Sequence, residues 1–126
     1  MRKLKFRVWN TLNKKFESQL NSKLFVQLFG DIVEHTDNEF FEVNHKYELN
    51  QFIGLTEKNG IEVYEGDILY CELHDRKMQV VWHEECVTFA GKIIGESEDY
   101  DFFQKYDFQK LCVIGNIYEN ADILSF

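Results

Sequence analysis

The chain has 126 residues and a net charge of −8, with 44% hydrophobic residues, 16% aromatic residues and no proline. That length supports a single domain (residues 1–126) around one core, and the acidity weighs against general affinity for nucleic acid. No apolar run approaches the ~20 residues that span a bilayer, and the basic start alternates apolar with Lys and Arg, unlike a signal peptide, so a cytoplasmic protein with no membrane partner is expected.

Lys3 to Trp9 alternates strictly, which predicts a strand with Leu4, Phe6 and Val8 inward and Lys3, Lys5 and Arg7 outward. Asn10–Lys15 is a polar turn and Phe16–Leu20 a return strand. Residues 1–16 hold six basic side chains and no acid, so the remainder carries −14. Lys3, Lys5 and Arg7, interleaved with aromatics, are the candidate nucleic-acid contacts. A solvated strand face, guarded by lysine against edge pairing, is the preferred explanation.

The run LFVQLF at 24–29 is almost wholly apolar, as expected if both its faces are buried or one meets another subunit. Gly30-Asp31 breaks it. Residues 31–48 hold six acids and one lysine, and read as a surface insert with strand pieces at 40–43. His35, Asp37 and His45 lack the tight spacing of a metal site.

Residues 47–53 alternate, with Tyr47, Leu49, Gln51 and Ile53 on one face and Glu48 and Asn50 on the other, which predicts a half-buried strand ended by Gly54. Asn59-Gly60 supplies two residues that tolerate positive φ, as a tight hairpin turn needs. Ile61 and Val63 start a short strand. Glu65-Gly66-Asp67 makes a second turn, with Gly66 left-handed and the Asp67 carboxylate accepting backbone N–H groups. Ile68–Leu73 is a third strand, so the expected product is a local three-stranded meander. Turn chemistry alone accounts for Asn59, Gly60, Gly66 and Asp67.

His74–Lys77 predicts a hairpin turn, followed by strands at Met78–His83 and Val87–Ala90 around Glu84-Glu85. This pairing places Cys71 opposite Val80 and His83 opposite Ile68. Cys71, His74, His83 and Cys86 have the i,i+3 spacing of zinc ligands. The hairpin nevertheless sets the two pairs ~10 Å or more apart, so no metal or other cofactor is assigned. Three cysteines, an odd count without C-x-x-C spacing, also argue against a disulfide framework, and buried reduced Cys71, Cys86 and Cys112 are expected. Ser97 caps one short predicted helix near 98–106, with Glu96, Glu98, Asp99 and Asp101 about its first turn. Those acids read as a solvated helix start in preference to a cation site or a nucleic-acid mimic. Leu111–Tyr118 is strongly β, with a bulge or bend at Gly115-Asn116, and 120–124 forms a terminal turn.

Three of these stretches carry a resemblance. RKLKFRVWNTLNKKF at the start, GLTEKNGIEVYEGDIL in the middle and VIGNIYENADIL at the end are similar, in that order, to segments of the YopX family of phages and prophages of Gram-positive bacteria. Ala121 stands where many relatives carry Pro. Residues 18–46 and 84–110 match none of the family's segments. The resemblance implies a mainly-β, YopX-like fold, either a small barrel-like sheet or a meander, and a phage context. It implies no particular activity.

There is no Gly-rich phosphate loop, G-x-S-x-G elbow or H-E-x-x-H motif, so no catalytic residue is assigned. The expectation is a non-catalytic phage accessory protein that binds a host or phage protein, or a second copy of itself. A small nucleic-acid-binding β-barrel is the alternative, with a metal-dependent or thiol enzyme behind it.

Overall fold

The protein, seen in a computed structural model, is described at residues 3–19, 21–95 and 99–124, without the side chain of Lys105. Short antiparallel strands dominate, and the helical turns among the described residues are 3-10 turns of three or four residues. The chain forms two compact units, Lys5–Gln51 and Phe52–Phe126 with Met1–Leu4.

In the first unit, β1 (Phe6–Asn10) pairs with β2 (Lys15–Phe16). Trp9 is buried edge-on against Phe16, with centroids 4.9 Å apart. Asn10 is buried because it ties the intervening turn: its Oδ1 accepts from Leu12 N and Asn13 N, each at 2.9 Å. Leu4, expected in the core, is 67% exposed.

β3 (Leu24–Val26), β4 (Ile32–Thr36) and β5 (Glu39–Glu42) form a three-stranded sheet. The acidic insert thus carries the strand expected near 40–43, exposed along β5, and a further strand, β4, that was not expected, with Ile32, Val33 and Val43 buried. Its hairpin turns at Asp37-Asn38, both at positive φ (50° and 63°), the backbone that a two-residue loop requires. The run at 24–29 is not buried on both faces: Leu28 and Phe29 lie outside the strand and are 105% and 81% exposed.

β6 (Tyr47–Thr56) carries the chain between units. Its first half pairs with β1, from Phe6↔Gln51 to Asn10↔Tyr47. Asn50 is the buried residue there, contrary to the predicted face, because its Oδ1 accepts from Arg7 Nε at 3.1 Å. Gly54 does not end the strand. It takes φ +95° where the register with β7 (Glu62–Tyr64) shifts between Phe52 and Thr56.

In the second unit, β8 (Asp67–Cys71), β9 (Arg76–His83), β10 (Thr88–Ile93), β11 (Tyr100–Phe102) and β12 (Leu111–Asn116) form a five-stranded sheet in the order β11-β10-β9-β8-β12. The expected local meander thus does not form. β7 pairs with β6, and the turn at Glu65-Gly66 hands the chain to another sheet. Gly66 takes φ +85° there, and Asp67 Oδ2 accepts from Tyr64 N at 2.8 Å. The β8–β9 turn is 72–75, so Cys71 faces Arg76 and Ile68 faces Gln79, where the sequence suggested Val80 and His83. Residues 100–106 are not one helix: β11 pairs with β10, and only Phe103–Lys105 makes a 3-10 turn. Sheet pairing outweighs the weak propensity of a short helix. Glu96, Ser97 and Glu98 lie outside the described residues. A bulge separates Val113 from Gly115 in β12. Asn116, next along, is buried and accepts on Oδ1 from Tyr118 N and Glu119 N at 3.0 and 2.9 Å.

Leu69, Cys71, Met78, Val80, Ile93 and Leu111 form one buried face of this sheet, packed with Ile53, Val63 and Phe108. Within this apolar unit Glu57 is 1% exposed. Its Oε1 accepts from Asn59 N at 2.6 Å and Ile61 N at 3.2 Å, and its Oε2 from Val113 N at 3.1 Å. Lys58 N adds a bond to Leu111 O at 3.1 Å. One carboxylate therefore closes the β6–β7 turn and pins it to β12. Burial alone raises the Glu57 pKa, but the N–H groups of Asn59, Val113 and Ile61 outweigh it and hold the carboxyl below its ordinary value.

Glu57→Ala leaves these N–H groups without their acceptor and is expected to destabilise the protein by about 2–4 kcal/mol in urea unfolding. Because the folded pKa is the lower one, the ionised carboxylate's contribution is complete above the unfolded value of about 4.3 and is lost as pH falls through the folded value. The stability gap between the protein and Glu57→Gln should accordingly shrink below pH ~4. A gap unchanged down to the acid transition would contradict this role.

Candidate functional site

The buried sheet face continues into an open groove. Side chains alternate along a strand, so Met78 and Val80 in β9 share their face with Trp82. Ile93 and Gly91 in β10 share theirs with Phe89, through the pairs Met78↔Ile93, Val80↔Gly91 and Trp82↔Phe89. The core covers the first two rows. The last row, Trp82 edge-on to Phe89 at 5.0 Å, walls a groove of about 710 Å³. Phe103 and Phe108, edge-on to each other at 5.3 Å, and Tyr106 form the facing wall, and Ile53, Gly54 and Leu55 of β6 line a third side. Gly91 lets the walls meet, since a Cβ there would lie 2.7 Å from Met78 Sδ and 3.2 Å from Phe103 Cε1.

Two features set this groove apart from ordinary surface. Trp82, Val87 and Leu55 stay 42%, 70% and 43% exposed. Val87, in the turn between β9 and β10, also lies at φ +51°, a conformation that costs a β-branched residue about 1–3 kcal/mol.

The polar chemistry is sparse. Asp107 is the one charged side chain among the described lining residues, and its Oδ1 caps the next turn by accepting from Gln109 N at 2.9 Å. Tyr106 reaches out of the groove, its hydroxyl donating to Asp101, while Arg76 Nη1 lies 2.6 Å from Asp101 Oδ2 and 3.3 Å from the phenol. Burial first, then the hydrogen bond to Asp101, raises the Tyr106 pKa, so the phenol stays a neutral donor that orients the wall. Among the described lining residues none pairs a nucleophile with a base.

Of the basic candidates, Lys3 is exposed and Lys5 and Arg7 are half-buried. The Arg7 guanidinium sits 4.4 Å from the Phe16 ring centroid and bonds Asn50. Among the described residues no group of three or more His, Cys, Asp or Glu is placed to hold a metal ion, which applies to His35, Asp37 and His45 as well. Cys71 is buried, Cys112 half-buried and Cys86 exposed, against the expectation of three buried thiols. Cys86 N donates to His83 Nδ1 at 3.2 Å, a local tie within the turn. Gly115 is packed against Asn120, whose Oδ1 accepts from Asn116 N at 3.1 Å. Sequence reasoning missed the groove because its walls come from three separated stretches, residues 53–55, 82–89 and 103–108. The detectable signal was Trp82, an aromatic that ends an alternating run beside a turn.

The first unit also exposes apolar side chains. On one face of its three-stranded sheet Phe25 and Phe40 are edge-on at 6.0 Å and His35 stacks on Phe40 at 4.5 Å, and on the opposite face Phe41 is 48% exposed.

A family model described as YopX protein matches residues 5–125. The crystal structure of protein EF1440 from Enterococcus faecalis is similar over 99% of this chain and 100% of that one, with a TM-score of 0.60 and 22% sequence identity. At that identity the likeness concerns the fold. No curated protein matches the chain.

Val87→Gly relieves the left-handed valine and is expected to stabilise the protein by about 1 kcal/mol, read as a higher urea midpoint at unchanged slope. A lower midpoint would show that Val87 packing, not strain, dominates the lip.

Proposed function

The chain belongs to the YopX family, and from that premise we propose that it is a non-catalytic interaction module, a phage or prophage accessory protein acting in the bacterial cytoplasm. The observation that carries this reading is the groove beside Trp82, where the core face of the sheet runs on uncovered and a strained Val87 is kept at the lip. Leaving apolar surface exposed forgoes about 25 cal/mol per Å², a cost a partner removes by covering it. The family match spans both units, which supports treating the chain as one functional domain. Self-association has its own support in the exposed side chains of Phe25, Leu28, Phe29, Phe40 and Phe41.

Two surface variants separate these roles. Trp82→Ser with Val87→Ser is expected to abolish capture of a partner from a host lysate while leaving the oligomeric state alone. Phe29→Ser with Phe40→Ser is expected to shift the light-scattering mass in size-exclusion chromatography toward monomer. A partner captured equally by the groove variant would overturn the docking assignment, and a monomer at every salt concentration would remove self-association.

A further inference from the structure

Resting on the reading of the groove as a docking site, the geometry points to one occupant: an extended peptide segment of a protein partner, with apolar side chains set against lysine or arginine. Three independent features select it.

The first is backbone. The β1 ladder ends at Gln51, and the register with β7 breaks between Phe52 and Thr56. Ile53, Gly54 and Leu55 line the groove at this irregular stretch of strand, with Gly54 and Leu55 exposed. An extended peptide laid along such a strand follows its direction and presents alternate side chains to the groove.

The second is shape. The volume, about 710 Å³, lies within the ~300–1,000 Å³ that holds a compact ligand. That is room for the alternate side chains of a short strand, and too little for a macromolecular surface. The aromatic lining of Trp82, Phe89 and Phe103 suits apolar groups and cations alike.

The third is charge. The carboxylate of Asp107 lines the groove and no base appears among the described lining residues. Glu84 and Glu85 are exposed in the turn that carries Val87, and the chain as a whole has net charge −8. An anionic ligand meets like charge on this side, whereas a basic peptide is attracted and oriented.

The test titrates the full chain, labelled with nitrogen-15, with two acetylated and amidated hexapeptides, one of alternating leucine and lysine and one of alternating leucine and glutamate. The lysine peptide is expected to shift the amides of Gly54, Leu55 and Phe103 and the indole of Trp82, and to bind about tenfold more tightly than the glutamate peptide. Glu84→Gln, Glu85→Gln and Asp107→Asn together are expected to remove most of that preference, and these exposed substitutions leave the fold readable in the same spectra. Equal binding of both peptides at the groove would overturn the basic partner while the docking reading stands. No shift at the groove with either peptide, or shifts confined to other surfaces, would overturn both.

Discussion

A single buried carboxylate organises the larger unit. Backbone N–H groups left without acceptors in an apolar interior cost more than most side-chain contacts return. Here the turn after β6 and the start of β12 each present such groups, and Glu57 takes them from both. Asp67 and Asn116 repeat the device at shorter range, each accepting main-chain N–H groups at a turn or bulge. No buried side-chain nitrogen or oxygen among the described residues lacks a partner. Glu57, Asp67 and Asn116 of the family-like segments thus serve as acceptors for backbone N–H groups, which is one reason those segments read as motifs.

With the strands tied in this way, the hydrophobic face has only to be covered, and it is covered incompletely. The rows Met78–Ile93 and Val80–Gly91 lie under the core, and the row Trp82–Phe89 does not. Gly91 narrows the gap so that Phe103 reaches the sheet, and the 103–108 segment then stands as a wall opposite the uncovered row. The groove therefore follows from where the core stops.

Local chemistry was legible and long-range pairing was not. Gly66 and Asp67, and the irregularity at Gly115, follow from what glycine and short polar side chains do in turns. The strands β9 and β10 follow from alternation. Register was less accessible: a turn two residues earlier than supposed moves Cys71 from Val80 to Arg76, because side-chain periodicity constrains faces more than partners. The departure of β8 from β7 hinges on one turn and has no periodic signature. The phenylalanines near 25–41 illustrate a further limit, since composition marks them as apolar and cannot say which are left facing water. Glu57 was hidden for the same reason, although a carboxylate two and four residues ahead of the turn amides it accepts is a pattern that can be searched for.

Amide hydrogen exchange read residue by residue tests directly whether Glu57 is an acceptor shared by two strands. Ile61 and Val113 are expected to be protected in the native protein, and Glu57→Gln to raise exchange at both together while β9 and β10 keep their protection. Val113 exchanging at the same rate in both proteins, or protection falling uniformly across the sheet, would contradict it.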